Sequence, residues 1–308
     1  MVVAALLVRS RIDDRNDRRR TVLRLACVTE LESVCDAIKD AARARVDLTV
    51  EPAGTTEARL AKAGDAGIDG WLAPTAWVGL VEDDRQRNQL PGRFANPAPI
   101  LASSPLVIAM WADRVAAIRP ACGGEVTWKC LGEQAAKNAV KPGHADPTTS
   151  ATGLLVLGQA VASFFGRASL STTDLDASDA FDGWFTGLEQ AVPEFDDGLL
   201  DRMLAQGRSF LDAVGTIEAE AAPLLRRAAR GSDVSLLYPS PMANAFVVLA
   251  PVSERPAAAR LAALVRGPVG QRALARAGWH VPPASVPSGV PDPGLLDALR
   301  QRWKQVAR

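Results

Sequence analysis

The 308-residue chain has no surplus of charge, because 35 lysines and arginines are balanced by 35 aspartates and glutamates. A nucleic-acid-binding protein needs an excess of basic side chains to neutralise phosphates, so the composition argues against this class. Apolar residues make up 48% of the sequence. That fraction is enough for a full hydrophobic core, and global disorder is therefore not expected.

Histidine is scarce, and catalytic motifs are missing from the sequence. The chain contains only His144 and His280. It has no nucleophile elbow, no Walker loop, no dinucleotide-binding glycine pattern and no zinc-protease helix. We therefore expect no enzymatic activity, no metal site and no cofactor. The alternative is a catalytic His144; we favour a loop histidine that supports the start of the following helix.

The four cysteines fall into two short-range pairs, Cys27 with Cys35 and Cys122 with Cys130. Their even number and close pairing predict two small disulfide loops, which would place the chain in an oxidising compartment. The alternative is a cytosolic protein with four buried free thiols. A zinc site is disfavoured because neither pair has the usual spacing of two to four residues.

The N-terminal region lacks a hydrophobic run long enough to span a bilayer. Residues 2–8 are apolar but too few, and residues 9–20 are highly charged without apolar periodicity. We expect residues 1–20 to be a tether or a truncated signal or anchor segment. The protein would then be secreted or membrane-anchored at the cell surface. A frayed soluble N-terminus is the alternative.

From residue 22 onward, short predicted strands alternate with helices, which is typical of a parallel sheet with crossover helices. The apolar run from Ile100 to Met110 is interrupted by Ser-Ser-Pro and predicts a strand that leaves one sheet and enters another. Only helices are expected between residue 151 and Arg230. Other predicted elements are strands at 22–28, 46–50, 68–72, 234–238 and 246–250, and helices at 29–44, 128–135 and 257–277.

The segment Asp146–Gly153 (DPTTSATG) precedes a long apolar helix. The start of a helix exposes backbone N–H groups and the positive end of the helix dipole, which together can bind an anion. Three hydroxyl side chains around the first turn add further donors. The alternative is a plain N-cap, because serine and threonine are common there.

The segment Asp146–Ser150, followed by Gly153-Leu154-Leu155, resembles the second-lobe loop and helix of type II periplasmic solute-binding proteins. It is closest to the Pro-x-Thr-Ser segment of the sulfate and molybdate branch. Other segments follow in the order of that family. Asp69–Pro74 resembles the strand that ends the first lobe, Ser103–Ile108 the strand into the hinge, and Gly270–Trp279 the closing helix motif. The resemblance covers about Val22 to Pro282.

The Trp-x-x-Pro and Asp-Pro-x-x-Ser features also resemble solute-binding-like domains of actinobacterial surface proteins that carry a von Willebrand A module. No Asp-x-Ser-x-Ser metal motif is present in this chain. The resemblance to that subgroup therefore covers only the solute-binding-like domain and not the von Willebrand A module. It implies an alternative function, a surface interaction or sensor domain with no transport role.

The resemblance implies an α/β fold of the type II periplasmic-binding-protein class, with two α/β lobes joined by a two-strand hinge. Lobe one would comprise residues 21–108 plus 243–308, and lobe two residues 109–242. The implied function is extracytoplasmic binding of a small solute between the lobes of a monomer, for import by an ABC transporter permease. An oxyanion is the ligand class of the sulfate and molybdate branch. Lobe closure would be a hinge motion.

By position in the family, the ligand contacts fall at the ends of predicted strands and at the start of the long helix. They are Thr29, Glu30, Thr55, Thr56, Ser103 and Ser104 in the first lobe, and Thr149, Ser150, Thr152, Thr216 and Tyr238 in the second.

One of these residues departs from the oxyanion pattern. Glu30 would repel a dianion unless it points away or is neutralised, so an amine-bearing or neutral polar ligand stays open. Trp71, Trp77 and Trp111 are expected in the core rather than in a sugar-like site.

Overall fold

A computed structural model describes residues 22–42, 44–95, 98–193, 198–252, 255–285 and 289–307. The tether predicted for residues 1–20 lies outside these residues. The strands are β1 Val22–Val28, β2 Arg45–Glu51, β3 Gly70–Pro74, β4 Ile100–Trp111, β5 Pro142–Gly143, β6 Ala213–Ile217, β7 Val234–Leu237 and β8 Asn244–Pro251.

The α-helices of the described residues flank these strands, and short 3-10 helices occur at Thr29–Leu31, Arg119–Cys122, Gly207–Ser209 and Gly231–Asp233. The helices are α1 Glu32–Ala41, α2 Ala53–Leu60, α3 Thr75–Arg87, α4 Ala112–Ile118, α5 Trp128–Ala135, α6 Ala151–Phe165, α7 Thr172–Asp176, α8 Asp179–Glu189, α9 Leu199–Gln206, α10 Glu218–Arg227, α11 Ala258–Arg266, α12 Pro268–Arg276 and α13 Pro293–Val306.

The strands form a sheet in the order β2-β1-β3-β8-β4-β6-β5, and β7 also pairs with β4. Strand β1 runs parallel to β2 and β3, as the alternation of strands and helices predicts. The N-terminal part of β4, Ile100–Pro105, pairs with β8, whereas Leu106–Trp111 pairs with β6 and β7. The prediction of a strand that changes sheets at Ser-Ser-Pro is therefore confirmed.

The change of partners along β4 divides the strands into two groups. The first half-sheet contains β2, β1, β3, β8 and Ile100–Pro105 of β4. The second half-sheet contains Leu106–Trp111 of β4 with β6, β7 and β5. Strands β3, β6 and β8 are buried along their whole length. Trp71, Trp77 and Trp111 are fully buried, which confirms that they belong to the core.

Two predicted elements are wrong. The expectation of helices alone up to Arg230 fails at β6, which pairs antiparallel with β4. Its five residues are too few for a helical period to show, and their burial in a sheet decides the conformation. The helix predicted over 257–277 is two helices, α11 and α12. Pro268 has no N–H and cannot continue α11, so it begins a new helix.

Both predicted disulfides are present. Cys27 of β1 is bonded to Cys35 of α1, and Cys122 is bonded to Cys130 of α5. No cysteine of the described residues is free, so the alternative of four free thiols is wrong. Among the helices that the structure describes, none has the length and apolar character needed to cross a membrane.

Helix α13 packs against helices of both parts of the molecule, namely α3 on one side and α6 and α8 on the other. Towards the first half-sheet, Arg300 forms a two-pronged ion pair with Glu57 of α2, with N–O distances of 2.7 and 2.9 Å. Towards the second, Trp303 Nε1 donates to Glu189 Oε2 of α8 at 2.8 Å. The C-terminal helix thus ties the two parts together.

Candidate functional site

A cleft of about 660 Å³ opens between the two half-sheets. From the first half-sheet it is lined by the 3-10 turn after β1 and by the end of α12. From the second it is lined by the loop before α6, the start of α9, and the β6–α10 junction. Its walls are partly apolar, with Leu199, Val214, Leu224 and Trp279 among them. The volume falls in the range of small-molecule sites.

The start of α6 borders this cleft and is closed by its own cap. Ser150 Oγ accepts a hydrogen bond from Gly153 N–H at 3.1 Å, which satisfies one of the free donors of the first turn. Asp146 Oδ1 accepts from Thr148 N–H at 2.6 Å and holds the preceding loop. A Cβ at Gly153 would lie 2.3 Å from Ala145 O, so only glycine fits there. The predicted N-cap is confirmed.

Two further donors at this helix start bind a carboxylate of the protein itself. Ser150 Oγ donates to Glu30 Oε1 at 2.7 Å, and Thr152 N–H donates to the same oxygen at 3.2 Å. Glu30 follows β1 of the first half-sheet, whereas α6 packs on the second. The position at which the sequence predicts an external anion is therefore taken by a side chain from the opposite side of the cleft.

A second carboxylate, that of Glu220, lies beside the first. It accepts hydrogen bonds from Thr216 Oγ1 at 2.6 Å and from Thr152 Oγ1 at 3.1 Å. Burial and the negative charge of Glu30 raise the pKa of Glu220 to about 7, although the two threonine hydroxyls act in the opposite direction. Thr152 thus contacts both carboxylates, one through its N–H and the other through its hydroxyl.

The structure brings together part of the set of predicted contact residues. Those that line the cleft are Thr29, Glu30, Thr149, Ser150, Thr152 and Thr216. The others, which lie outside it, are Thr55, Thr56, Ser103, Ser104 and Tyr238.

Four of the five residues outside the cleft have other hydrogen-bond partners, and the fifth, Thr55, is exposed. Ser103 Oγ accepts from Ala284 N–H at 2.8 Å and Ser104 Oγ from Ala219 N–H at 2.9 Å, so both hydroxyls fix backbone around the point where β4 changes partners. Thr56 Oγ1 donates to Glu51 at 2.7 Å. Tyr238 is exposed and donates to Glu218 at 2.9 Å.

Sequence reasoning missed the charged residues that line the second side of the cleft. Glu220 is the most informative of them, and exposed Asp201 and Arg227 also contribute; exposed Arg276 of α12 lines the opposite side. The signal for Glu220 would have been an acidic residue in the first turn of a helix that directly follows a strand, four residues after Thr216. The sequence hides this signal because the five buried residues of β6 show no alternation of apolar and polar residues.

Direct contacts join the two sides of the cleft near the start of α6. Gly54 N–H of α2 donates to Thr149 O at 3.1 Å, and Trp77 Nε1 of α3 donates to Ala151 O at 3.3 Å. A Cβ at Gly54 would lie only 2.0 Å from Thr148 O. The lack of a side chain at Gly54 therefore allows the two backbones to approach this closely.

The variant Gly54→Ala tests this approach. The added methyl group overlaps a backbone carbonyl, so we expect the free energy of unfolding to fall by about 1–3 kcal/mol. Urea unfolding followed by circular dichroism measures the change. Gly183→Ala in α8 is the matched control, because a Cβ there meets no atom within 4 Å. Equal stability of Gly54→Ala and the unmodified chain would contradict the described contact.

His144 lies away from the cleft lining, in the loop that leads to α6. Its Nδ1 donates to Ala145 O at 2.8 Å and its Nε2 lies 3.0 Å from Glu189 Oε2, with both side chains fully buried. Both ring nitrogens face oxygen acceptors, an arrangement that favours the protonated ring. Burial alone would lower the pKa of His144, but the charge of Glu189 and the hydrogen bonds outweigh it and raise the pKa.

The family of the chain follows from comparison with known proteins. Residues 23–280 match the model of the family described as bacterial extracellular solute-binding protein. None of the curated proteins is similar enough in sequence to count as a relative.

Solved structures share the fold at low sequence identity. One is a periplasmic thiamin binding protein (TM-score 0.65, 14% identity, covering 94% of this chain and 97% of that chain). Another is iron-bound HitA from Pseudomonas aeruginosa (TM-score 0.64, 12% identity, 94% and 100%). A third is the sulfate-binding protein SubI from Mycobacterium tuberculosis H37Rv (TM-score 0.57, 15% identity, 84% and 86%).

These findings confirm the predicted fold, an α/β fold of the type II periplasmic-binding-protein class with two lobes. Assignment to the sulfate and molybdate branch, and the likeness to von Willebrand A surface proteins, stay predictions. The match of a family model to residues 23–280 covers most of the sequence. The chain therefore belongs to the family of bacterial extracellular solute-binding proteins.

Proposed function

We propose that the chain binds a small solute in the cleft between its two lobes and delivers it to an ABC transporter permease. Lobe one comprises residues 21–108 plus 243–308 and lobe two residues 109–242. The change of partners of β4 after Pro105 supports this division. The protein acts outside the cytoplasm as a monomer, secreted or held at the membrane by residues 1–20, and the two disulfides support an oxidising compartment.

The observation that carries this proposal is the cleft itself. It lies between the two half-sheets, and residues from both sides line it. The hydroxyl of Thr149, which has no hydrogen-bond partner among the described residues, can donate to a solute, while apolar walls can bury the body of the solute. We propose that the predicted contact residues lying in the cleft bind the ligand. Ser103 and Ser104 instead accept hydrogen bonds from backbone N–H groups and stabilise β4 where it changes partners.

The ligand class is not common to the structural neighbours, whose names state thiamin, iron and sulfate. An oxyanion, the class suggested by the sulfate and molybdate resemblance, would have to displace Glu30 from the start of α6. The geometry therefore favours a solute that leaves Glu30 in place.

A thermal-shift screen of the purified chain tests the proposed function. The panel contains sulfate, molybdate, fructose-6-phosphate, glucose, thiamine, putrescine, choline, amino acids and ferric citrate. A solute at a hundredfold excess over its dissociation constant adds about 2.7 kcal/mol of stability, which is a clear rise in Tm. We expect at least one compound to produce such a rise. Failure of the whole panel would overturn the proposed function.

The contacts of helix α13 with both lobes support a second candidate function. Its ion pair with Glu57 and its hydrogen bond to Glu189 tie both lobes, which suits a domain whose lobes do not move. Such a domain would act as a surface interaction or sensor module with no transport role. It would show no stabilisation by any small solute of the panel, and this result separates the two candidates.

A further inference from the structure

We propose that the solute carries a positively charged amine, which binds between the carboxylates of Glu30 and Glu220. This inference rests on the proposed function, because it assigns a ligand class to the same cleft. The two carboxylates come from opposite lobes and meet at Thr152. A cation held there would touch both lobes at once and would favour their closed arrangement.

The first argument is the set of partners of these two side chains. Within the described residues, Glu30 accepts from Ser150, Thr152 and Thr29, and Glu220 accepts from Thr152 and Thr216. All of these partners are hydroxyl or backbone N–H groups, and none carries a positive charge. Two like charges at short range repel each other, and a cation between them removes this repulsion.

The raised pKa of Glu220 also supports the binding of a cation at this position. Burial and the charge of Glu30 raise the pKa of its carboxyl to about 7. The other charged groups that line the cleft are Asp201, Arg227 and Arg276, and all three are exposed. Among the described residues, neither Glu30 nor Glu220 accepts a hydrogen bond from a cationic side chain.

An anion fits this end of the cleft poorly. Ser150 Oγ and Thr152 N–H at the start of α6 already donate to Glu30, so an anion at this position would meet a carboxylate. The exposed guanidinium groups of Arg227 and Arg276 can contact a carboxylate or another polar group of the same solute. The solute is thus either a simple amine or a zwitterion.

A bare metal ion is a worse occupant than an organic cation. The described residues contain no group of three or more histidine, cysteine, aspartate or glutamate side chains that could hold a metal. Hard cations need about six oxygen ligands. The cleft of about 660 Å³, with Leu199, Leu224 and Trp279 in its walls, instead fits an organic body attached to the charged group.

Isothermal titration calorimetry with putrescine, choline, thiamine and L-arginine tests the inference at pH 8. Sulfate, glucose, calcium chloride and ferric citrate are titrated in parallel. We expect binding by at least one amine. Tighter binding of the amines that lack a carboxylate would indicate that the solute is a simple amine, and tighter binding of L-arginine would indicate a zwitterion. Binding of an anion, a neutral sugar or a metal without any amine would overturn the inference but leave the proposed function intact; no binding at all would overturn both.

The variant Glu220→Gln tests whether the amine binds at the carboxylates of Glu30 and Glu220. Loss of one negative charge should weaken amine binding at least about tenfold. Glu218→Gln is the matched control, because this carboxylate lies on the same helix but contacts exposed Tyr238 and His280. It should bind the amine as the unmodified chain does. Equal affinities of all three proteins would overturn the inference.

The pH dependence gives a second readout. An amine favours ionised Glu220, whose pKa is about 7 without ligand. Because the ionised fraction of Glu220 rises from about one eleventh at pH 6 to about ten elevenths at pH 8, the affinity of the unmodified chain should rise about tenfold, and Glu220→Gln should lose this dependence. Should Glu220→Gln fail to fold, Glu30→Gln replaces it, with the same expected loss of affinity. Amine binding that is stronger at pH 6 than at pH 8 would contradict the proposal.

Discussion

Replacement of Arg300 by methionine is expected to lower the free energy of unfolding by about 3–5 kcal/mol. The guanidinium group is buried in the interior of the molecule and donates to Glu57 at 2.7 and 2.9 Å and to Asp297 at 2.9 Å. It also lies over the ring of Trp77, at 5.4 Å. Its removal leaves the buried carboxylate of Glu57 without a cationic partner among the described residues, whereas Asp297 keeps its ion pair with Arg87 at 2.8 Å. The desolvated charge of Glu57 is the source of the large effect.

Arg302→Met is the matched control, because Arg302 lies half a turn further along α13. It pairs with Asp176 and Asp182, whose side chains are mostly exposed. Exposed pairs of this kind contribute at most about 1 kcal/mol. Urea unfolding of both variants at pH 7 measures the difference. If Arg300→Met were no less stable than Arg302→Met, the buried pair would not hold α13 in place.

The second large effect is expected for His144→Leu. Of the described residues, the variant leaves Trp303 as the remaining close donor to the buried carboxylate of Glu189. Breaking a buried ion pair on one side costs about 3–5 kcal/mol, and we expect a loss of this size at pH 6. His280→Leu is the control, because the chain has only these two histidines and His280 is exposed, 3.4 Å from Glu218. A loss below 1 kcal/mol for His144→Leu would contradict the buried pair.

The sign of the pH effect follows from the raised pKa of His144. A histidine whose pKa is higher in the folded chain stabilises it fully below the unfolded value of 6.5. This stabilisation is lost as the pH rises through the folded pKa. In an NMR titration, the His144 ring should still be protonated at pH values above 6.5. Deprotonation below pH 6.5 would show that the imidazolium is not stabilised by Glu189.

Both of these pairs belong to one structural unit around α13. Arg300 connects the helix to α2, while Trp303 connects it to Glu189 and so to His144 in the loop before α6. The loop that carries His144 also carries Thr149 and Ser150 of the cleft. The C-terminal helix therefore supports the second-lobe side of the candidate site from behind.

Local signals in the sequence predicted several features correctly. The start of α6 was predicted because an N-cap depends on residues within one turn, here Ser150 and Gly153. The disulfides were predicted because each pair is separated by only eight positions. The strand β4 was predicted because its apolar run and its Ser-Ser-Pro break are both contiguous in the sequence.

The acidic pair could not be predicted in the same way. Glu30 and Glu220 are far apart in the chain and meet only because β1 and β6 end on opposite sides of the same cleft. The acidic character of Glu30 predicts that it is unsuited to an oxyanion, but its hydrogen bonds from Ser150 and Thr152 depend on the packing of α6. Glu220 was missed because five buried residues of β6 lie among helices and show no helical or alternating period.

Hydrogen–deuterium exchange with and without the most stabilising compound of the solute panel tests the central claim, that a small solute binds between the lobes. We predict slower exchange on ligand binding at residues 145–153 and 198–201 and around Glu30, which line the cleft from both sides. Protection on one lobe alone, or at a surface away from these residues, would contradict binding in the cleft.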